Sequence, residues 1–427
     1  MPLPLEGVRV LDFTWVNAGA KGTRHLSTYG AELIHLEWKG KLDFLRLNPP
    51  YHTLPGERAV PEGGSSGYEA LKVKSVNRSS SFNNNHAGKW GVSLNMRHPK
   101  GKAIFRALLA TADVVCDNYT ATTLKDWGFG FEEMRKVKPD IIYVQVPGFG
   151  AQGPYRDYRS YGPSAGAIAG LTWQAGLPDR YPCGYGFSYM DVCSPYFMAL
   201  AVMAALRQRE RTGQPVYVDG SQSGPAFLLT GTSILEWSAS GRAYERTGNR
   251  SPYTMAAPHG AYRCRGEEAW IAIACSTEAH WTGLARVMGD PSWTAEPRFA
   301  TLEGRYANQD DLDRLIEGWT SQRERYDLMA RLQAESVPAG VCQDTRDRYE
   351  RDPQLKHRGY FVTVPHSEVP PYPVEGHPGR FSETQPTPLS RSEWGAACYG
   401  EHNAQVHGRL LGLTESDLAA LAAEEAI

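Results

Sequence analysis

Residues 184–221 read GYGFSYMDVCSPYFMALAVMAALRQRERTGQPVYVDGS, and the fold of this 427-residue chain is organised around them. Residues 196–206 hold no charge, and a helix that is apolar on every side is typical of a protein interior. Gly213 predicts the end of that helix, and residues 214–219 predict a strand. Asp191 lies at the predicted entrance to the helix. On this pattern alone an N-terminal cap is the simpler role for Asp191, and a carboxylate placed at the positive end of the helix dipole for chemistry is the alternative.

Strands and helices alternate before this stretch. Residues 8–13 (VRVLDF) and 31–37 (AELIHLE) predict strands that flank a helix over 19–29, which is how a parallel α/β sheet begins. Three more predicted strands and four more predicted helices follow, the strands at 91–96, 114–118 and 141–146 and the helices at 99–112, 122–136, 161–174 and 195–211. Units of this length predict a doubly wound sheet with right-handed crossovers.

The pattern changes beyond residue 222, so we expect residues 1–222 to form a large domain. A helical stretch lies in a predicted linker over 223–244, and two strands and three helices predict a smaller α+β domain over 245–350. Proline is frequent in the segment 351–390, which predicts an extended linker. Residues 43–88 show few apolar periodicities and predict a long excursion over the surface.

Composition excludes several classes of protein. The formal net charge of −2 gives no electrostatic reason to expect a nucleic-acid partner. No apolar run approaches the ~20 residues of a membrane span, and the N-terminus lacks the apolar region of a signal peptide. The seven cysteines are scattered and form no Cys-x-x-Cys pair. These features predict a reduced cytoplasmic protein without a zinc site, a membrane segment or a nucleic-acid partner.

Two local motifs have competing interpretations. Residues 148–153 (GFGAQG) fit the dinucleotide-binding pattern G-x-G-x-x-G, but no apolar helix and no suitably placed acid follow, which favours a glycine-rich turn near some other ligand. Lys89 precedes the third predicted strand, where it would either face an anionic ligand or be solvated like most lysines. The histidine spacing gives no support to metal-dependent hydrolysis, and no Gly-x-Ser-x-Gly elbow supports a serine hydrolase.

Taken together, the sequence blocks resemble the class III coenzyme A-transferase family, which includes formyl-CoA transferase and the carnitine CoA-transferases. The matching blocks cover nearly the whole chain: LEGVRVLDFTWVNAG (5–19), GKWGVSLNM (88–96), PKGK (99–102), DNY to FEEM (117–134), VPGFGAQGP (146–154), SYMD to DGSQ (188–222), RTGN to CRG (246–266), SVPAGVC (336–342), DPQLKHRGYF (352–361) and GEHN to LLGL (400–413). The order and spacing of ten blocks carry the resemblance, since each block alone is weak.

The resemblance implies a fold that the periodicity does not give. Each subunit would be an open ring made of a Rossmann-like large domain and a small domain. Residues 360–427 would return to the large domain, and two rings would interlock as a dimer. A homodimer is therefore expected, with a heteromer of related chains as the alternative.

The resemblance also implies a mechanism, because the catalytic aspartate of the family falls on Asp191. A positioned carboxylate would attack an acyl-CoA thioester, and the reaction would proceed through a mixed anhydride and an aspartyl-CoA thioester. No permanently bound cofactor or metal is expected, and coenzyme A would be a substrate. Backbone N–H groups or the 254–261 loop would stabilise the oxyanions.

Coenzyme A contacts of the family carry over to a set of residues that follow the predicted strands, namely Val16, Asn17, Ala18, Lys89, Asn118, Tyr119 and Phe149. Two positions depart from the family pattern. Trp38, followed by Lys39, and Asp126, preceded by Lys125, stand where the family often has basic residues. The residues that bind the phosphates of coenzyme A are therefore not predicted at these two positions.

Two rival functions share this fold. An α-methylacyl-CoA racemase needs an acid/base pair beside the α-carbon, but the corresponding residues here are Tyr161 and Gly162, which supply no general base near neutral pH. A non-catalytic subunit of a heteromeric CoA-transferase is the second rival, and the presence of Asp191 argues against it.

The acceptor acid is the least constrained part of the prediction. Residues 176–191 resemble the benzylsuccinate CoA-transferase branch, which implies succinyl-CoA as the donor. Five aromatic residues lie in predicted pocket segments, namely Trp15, Trp38, Trp173, Tyr181 and Tyr185. If several of them line the pocket, they favour a bulky or aromatic acid over formate or oxalate.

Overall fold

A computed structural model describes residues 2–54, 75–384 and 394–427. Within these ranges the chain forms two compact units. The first contains residues 1–172, 184–242 and 354–427, and the second contains residues 173–183 and 243–353. Parts of the predicted excursion (55–74) and of the predicted proline-rich linker (385–390) lie outside the described residues.

The first unit is built on a six-stranded parallel sheet, which confirms the predicted α/β class. Its strands are β1 (Arg9–Asp12), β2 (Glu32–Glu37), β3 (Trp90–Ser93), β4 (Val114–Asp117), β5 (Ile142–Gln145) and β6 (Val216–Asp219). Their order across the sheet is β3-β2-β1-β4-β5-β6. The sequence order therefore reverses direction between β1 and β4. In open α/β sheets such a reversal creates a crevice at the carboxyl ends of the strands, where ligands commonly bind.

Both faces of the sheet are covered, which is why its central strands β1 and β4 carry apolar residues toward both faces before ending in Asp12 and Asp117. On one face, Val10 and Val144 pack against Met198 and Val202 of a long helix. On the other face, Leu11 and its neighbours pack against a helix that contains Phe105 and Leu108. Alternate residues of each strand thus enter two separate cores.

The helices of the first unit are short apart from the first, third and eighth. They are α1 (Ala18–Thr28), α2 (Ser80–Asn85), α3 (Pro99–Leu109), α4 (Thr123–Asp126), α5 (Phe131–Val137), α6 (Gly162–Ile168), α7 (Leu171–Gln174), α8 (Tyr189–Thr212), α9 (Gly224–Leu229) and α10 (Gly231–Ser240), with a single 3₁₀ turn at Phe44–Leu47. Helix α7 crosses the boundary between the two units. The predicted linker over 223–244 thus contains two helices, both in the first unit.

The prediction that helix α8 is buried on every side is wrong. Its buried residues form one face, whereas Tyr196, Phe197 and Leu200 are 45%, 42% and 58% exposed. By length and composition α8 could cross a membrane, but core helices pass the same test, and its face around Val202 packs on the sheet. The apolar composition of α8 therefore reflects two surfaces, one packed within this chain and one exposed in the isolated chain.

The C-terminal residues of the first unit are less extended than the proline content predicted. They form most of α15 (Pro353–His357), the antiparallel pair β10 (Phe361–Val364) and β11 (Tyr372–Glu375), a π-helical turn at Ala404–Gly408, α16 (Arg409–Leu411) and α17 (Glu415–Ala423). A π-helical turn at Asp347–Arg351 precedes them, at the end of the second unit. Val364 and Val374 enter a small core with Ala87. Phe82 and His86 are each 1% exposed, so the described end of the 43–88 segment is interior and not a surface excursion.

The second unit is a small α+β assembly. Three antiparallel strands, β7 (His259–Arg263), β8 (Trp270–Ala274) and β9 (Ala339–Val341), form its sheet. Its helices are α11 (Glu278–Met288), α12 (Leu302–Ala307), α13 (Gln309–Thr320) and α14 (Arg325–Ala334), with a 3₁₀ turn at Ser292–Ala295. Ile271 and Ile273 of β8 pack with Leu284, Leu312 and Leu328 from three helices. The three helices predicted for this region correspond to α11, α13 and α14.

Candidate active site around Asp191

Asp191 lies in the first turn of α8 and does not cap it. The N-cap residue is Ser188, and the structure shows no side-chain capping bond there. The carboxylate of Asp191 instead accepts a hydrogen bond on Oδ1 from the side-chain amide of Gln222. The capping role predicted as the simpler one is therefore wrong, because the side chain points to another segment and not back to its own helix. Its position in the first turn still favours a negative charge.

The topology explains why Asp191 and Gln222 meet. Helix α8 precedes β6 and returns the chain to a parallel strand, so its N-terminus lies at the carboxyl edge of the sheet. Gln222 comes three residues after β6 at the same edge. Its backbone N–H donates to the carbonyl of Pro147, 2.9 Å away, which anchors the segment beside the loop after β5.

Burial dominates the electrostatics of Asp191. Only 9% of the residue is exposed, and this desolvation raises the pKa of its carboxyl group above the ordinary value. Ser188, the amide of Gln222 and the backbone N–H of Gly162 act in the opposite direction, since they favour the charged form and lower the pKa. The carboxylate is thus poorly hydrated but accepts a hydrogen bond from the neutral amide of Gln222, an arrangement that suits a nucleophile.

Gly162 is required beside this carboxylate for steric reasons. A Cβ atom added at Gly162 would overlap the hydroxyl oxygen of Ser188 and would lie 2.7 Å from Cγ of Asp191. Real side chains do not approach so closely. The position therefore accepts only glycine unless Asp191 or Ser188 moves.

A cleft of about 360 Å³ opens beside Asp191, within the range of small-molecule sites. Its lining is mainly amide and hydroxyl side chains and comprises Asn17, Lys21, Pro50, Ser80, Ser81, Asn84, Asn85, Phe187, Ser188, Asp191 and Val192. None of the five aromatic residues predicted near the pocket lines this cleft. Tyr181 is 92% exposed, and Tyr185 packs against Tyr189. This cleft therefore gives no support to the prediction of a bulky or aromatic acceptor acid, which required several of these aromatic residues in its lining.

The crevice between β1 and β4 collects several of the predicted coenzyme A contacts. Asn118, after β4, accepts a bond from the N–H of Trp15 on Oδ1 and donates through Nδ2 to the carbonyl of Trp15, each at 3.0 Å. The ring of Tyr119 lies edge-on to that of Trp15, with centroids 5.2 Å apart. Asn17, the residue before α1, lines the Asp191 cleft. The ends of the two strands thus form one connected surface, as their places in the sheet predict.

Val16 has a left-handed backbone conformation, with φ of 56°, which is costly for a β-branched residue. Its N–H donates to both carboxylate oxygens of Asp43, at 3.1 and 3.0 Å. Asp43 is buried, also accepts from the N–H of Leu45, and lies 3.1 Å from Nε2 of His86. Desolvation and the nearby Glu37 raise the pKa of Asp43 to about 6. Asp43 thereby holds the strained backbone of the β1–α1 loop.

Lys89 does not face a ligand in this structure. The residue is 1% exposed, and its ammonium group lies 2.9 Å from Asp12 and donates to the carbonyl of Ala20 and the hydroxyl of Thr23. Burial would raise the pKa of Asp12, but Lys89 and His35 hold it well below its ordinary value. All three ammonium donors are thus used inside the protein. The contact of Lys89 with coenzyme A stays a prediction.

The remaining predicted positions are spread along the sheet edge. Phe149, after β5, packs with Tyr155 and Tyr158. The segment that follows the glycine-rich turn is not helical until Gly162, so the context of a dinucleotide site is missing there. Asp126 accepts a bond from Thr122, 2.8 Å away. Trp38 carries the ammonium group of Lys39 above its ring, 5.3 Å from the centroid.

One group of side chains has the composition of a metal site. The donor atoms of His35, Asp43 and His86 lie within 4.8 Å of one another. Asp43 is already used by backbone N–H groups, however, and Nδ1 of His86 lies 3.4 Å from the ammonium of Lys89. A cation at this place would be repelled by Lys89, so the three residues fit an internal charge network better than a metal ion.

Gln222, Gly162, Ser188 and Asp43 were not predicted as site residues. Gln222 closes the SYMD to DGSQ block and follows β6, so its place at the carboxyl edge could have indicated it. At Gly162 the sequence indicates only that the general base of a racemase is absent. Nothing in the sequence around Asp43 indicates that its carboxylate holds a loop 27 residues away.

Comparison with known proteins adds four findings. A family model described as CoA-transferase family III matches residues 5–403. A succinyl-CoA–D-citramalate CoA-transferase of Chloroflexus aurantiacus is 32% identical over 430 residues, covering 100% of this chain and 98% of the relative. A succinyl-CoA–L-malate CoA-transferase beta subunit of the same organism is 27% identical, covering 100% and 98%. Among solved structures, a CaiB/BaiF family protein from Brucella suis matches with a TM-score of 0.82 at 27% identity, covering 96% of this chain and 100% of that one.

Proposed function

The chain belongs to CoA-transferase family III, and from this premise we propose that Asp191 carries coenzyme A from an acyl-CoA donor to a carboxylic acid. The membership confirms the predicted resemblance and an enzyme that uses CoA thioesters. The observation that carries the proposal is the buried carboxylate of Asp191, which borders an open cleft and accepts a hydrogen bond from Gln222. Succinyl-CoA is the expected donor, as in the names of the relatives.

The proposed reaction has four steps, each of which exchanges one acyl bond. Oδ2 of Asp191 attacks the thioester carbon, the C–S bond breaks, and a mixed anhydride and CoA thiolate form. The thiolate attacks the aspartyl carbon and releases the donor acid, which leaves an aspartyl-CoA thioester. The acceptor carboxylate attacks this thioester and forms a second anhydride, and the thiolate then takes the acceptor acyl group. We assign the attack to Oδ2 because Gln222 occupies Oδ1.

Coenzyme A is proposed to bind along the carboxyl edge of the sheet, at Val16, Asn17, Ala18, Asn118, Tyr119 and Phe149. The connected loops after β1 and β4 support this placement, since ligands of open α/β sheets bind where the strand order reverses. Lys41 lies over the ring of Trp15, 4.7 Å from the centroid, and supplies a positive charge at this edge. The finer description of the first unit as Rossmann-like and of the subunit as an open ring remains part of this proposal, as does a cytoplasmic location.

A screen of acyl-CoA donors against carboxylic acids tests the proposal. Transfer requires both partners, so acyl-CoA consumption must depend on the acid. The racemase alternative makes the opposite prediction: deuterium from solvent would enter an α-methylacyl-CoA without any acid. Tyr161 is 67% exposed and Gly162 has no side chain, so the structure offers no base at that position.

A second copy of this chain is the proposed partner. Helices α8, α9 and α10 expose a set of large apolar side chains, namely Tyr196, Phe197, Leu200, Phe227, Leu228, Leu229, Ile234, Leu235 and Trp237. Exposed apolar surface on this scale is typical of protein interfaces, and it continues the α8 surface that the described residues leave uncovered. The interlocked homodimer implied by the family would cover it, whereas the beta-subunit name of one relative keeps a heteromer as the alternative.

Sedimentation of the purified chain decides between these assemblies. We expect a single species of twice the 47.2 kDa chain mass, because burying the apolar helices favours association. Leu228→Asp together with Leu235→Asp should weaken or abolish the dimer, since both substitutions place charge on that surface. A monomeric wild-type chain that transfers coenzyme A would contradict the proposed homodimer.

Replacing Asp43 by alanine is expected to raise the KM for acyl-CoA by roughly tenfold, because relaxing a strained backbone of this kind involves about 1–3 kcal/mol. Without the carboxylate, Val16 is free to leave its left-handed conformation, and the proposed CoA-binding loop loses its shape. Steady-state kinetics with varied acyl-CoA measure the change.

Two companion variants make this test specific for the loop. Adding Val16→Gly to Asp43→Ala should recover most of the lost affinity, since glycine adopts a φ of 56° without strain. Asp43→Asn keeps an oxygen for the N–H of Val16 and should change the KM less than Asp43→Ala. An unchanged KM in Asp43→Ala would show that Asp43 does not position the loop.

A further inference from the structure

We propose that the side-chain amide of Gln222 is a catalytic group, which stabilises the oxyanion that forms on Oδ1 of Asp191 when the aspartyl carbon is attacked. The inference rests on the proposed CoA transfer and adds a residue to its chemistry. It concerns the second and third of the four steps, in which Cγ of Asp191 is the carbon under attack. The first and fourth steps act instead on the carbonyl carbon of the donor or acceptor acid.

The hydrogen bond between the two side chains is the first argument. Nε2 of Gln222 donates to Oδ1 of Asp191, and the amide must present its NH₂ group there, because an ionised carboxylate only accepts. Once Oδ2 has formed the anhydride, Oδ1 is the carbonyl oxygen of an aspartyl acyl group. The N–H of Gln222 therefore already points to the oxygen on which charge develops when that acyl group reacts.

The electron movements show which steps use this donor. In the second step the CoA thiolate attacks Cγ of Asp191, and the electron pair of the Cγ–Oδ1 double bond moves onto Oδ1. Collapse of this oxyanion breaks the Cγ–Oδ2 bond, and the donor acid leaves with Oδ2. In the third step an acceptor carboxylate oxygen attacks Cγ of the thioester, charge again collects on Oδ1, and the C–S bond breaks. Neither step transfers a proton.

The same hydrogen bond is stronger in these transition states than in the resting enzyme. A free carboxylate divides one negative charge between two oxygens, whereas the tetrahedral oxyanion places a full charge on Oδ1. Only interactions that strengthen in this way accelerate a chemical step. Gln222 is 6% exposed and Asp191 is 9% exposed, so little water competes for the bond and the local dielectric is low.

Backbone contacts hold the amide of Gln222 in place. The N–H of Gln222 donates to the carbonyl of Pro147 at 2.9 Å, and the N–H of Ser223 donates to the carbonyl of Gly148 at 3.0 Å. Two successive residues are thus bonded to the loop after β5, and α9 begins at the next residue, Gly224. A donor fixed in this way needs no rearrangement when the charge appears, which is what makes an oxyanion donor effective.

Gln222→Met tests the proposal, because methionine is of similar size and has no donor. The aspartyl-CoA adduct is formed by incubation with acyl-CoA, longer for the variant, and freed of excess substrate. Hydroxylamine is then added, since this small nucleophile attacks Cγ of Asp191 without using its carboxylate as a nucleophile. Hydroxamate formation should be slower in Gln222→Met by roughly 10²-fold, the loss expected for one oxyanion donor, and transfer from the adduct to an acceptor acid should slow similarly.

Gln222→Glu keeps the shape of the side chain and decides the question if Gln222→Met does not fold. The introduced carboxyl group can donate to Oδ1 only when it is protonated, and burial raises its pKa. The rate of hydroxamate formation relative to wild type should therefore recover as the pH falls from about 8 to about 5. A relative rate that is flat, or that falls with the pH, would overturn the proposal.

Gln145→Met is the matched control. Gln145 is 2% exposed, at the end of the neighbouring strand β5, and donates to the carbonyl of Ala121 at 3.1 Å, so the variant loses a buried amide that does not serve Asp191. Its adduct should react with hydroxylamine at the wild-type rate. An unchanged rate in the Gln222→Met adduct would show that Gln222 only positions Asp191. Absence of any CoA adduct from wild-type enzyme in turnover would instead overturn the proposed function.

Discussion

Replacing Asp191 by asparagine is expected to abolish CoA transfer, with a loss of roughly 10⁴-fold or more in kcat, the scale seen when an enzyme loses its nucleophile. Asparagine has nearly the same shape, so the cleft and the bond from Gln222 remain available. An amide cannot form the anhydride or the thioester, however. Turnover with the best donor and acceptor pair, and binding of acyl-CoA to the variant, separate lost chemistry from lost affinity.

The same substitution should not destabilise the fold, and the sign of its pH dependence follows from the burial of Asp191. Because the pKa of this carboxyl group is raised in the folded protein, the folded state binds its proton more tightly than the unfolded state does. The carboxylate therefore costs stability as the pH rises through the unfolded and folded pKa values. Asp191→Asn removes this cost, so its stability relative to wild type should increase between pH 4 and pH 7 in urea unfolding.

Asp140→Asn is the control for this variant. Asp140 precedes β5 at the opposite edge of the sheet and forms an ion pair with Lys138 at 2.9 Å. The Asp140→Asn variant should retain full CoA-transfer activity. Substantial transfer by Asp191→Asn would contradict the role of Asp191 and would point to the second rival, a chain whose partner subunit performs the catalysis.

Replacing Gly162 by alanine is expected to reduce kcat by about 10² or more, because displacement of a reacting group by about 1 Å can cost this much. The added Cβ would overlap Ser188 and approach Cγ of Asp191 to 2.7 Å. The carboxylate or the start of α8 must then move. Acyl-CoA binding should change less than kcat, since the predicted coenzyme A contacts lie on other loops.

Gly166→Ala tests whether the effect is local. Gly166 lies one turn further along α6, and a Cβ there would meet Met190 at an ordinary distance of 3.7 Å. This variant should remain active and gain roughly 0.5–1 kcal/mol of stability, as alanine is the better helix former. Wild-type turnover in Gly162→Ala would show that the close packing around Asp191 is not needed for the reaction.

The sheet was predictable because its strands are short runs of valine, isoleucine and leucine separated by helices of regular length. The residue at which α8 begins was less predictable from the sequence. Pro195 indicated a first turn, yet the helix begins six residues earlier at Tyr189. Pro195 has no N–H for the carbonyl of Asp191, so the helix passes through a position that normally ends one. This difference moves Asp191 from a cap into the first turn.

Long-range polar contacts were the least predictable part of the site. Lysines are usually solvated, and only the fold shows that Asp12 and Thr23 surround Lys89 completely. Likewise, the segment that contains Asp43 lacks periodicity, so nothing local relates its carboxylate to the N–H of Val16. The ordered sequence blocks were enough to predict the role of Asp191. Its surroundings depend on how α6, α8 and the segment after β6 meet, which the sequence does not show.

Trapping of the enzyme-bound intermediate tests the central claim most directly. Wild-type enzyme is mixed with acyl-CoA, treated with hydroxylamine, digested and analysed by mass spectrometry. The account predicts a hydroxamate on Asp191 that forms only in the presence of acyl-CoA and is absent from Asp191→Asn. An unmodified Asp191 in enzyme that is turning over, or a hydroxamate on a different carboxylate, would contradict it.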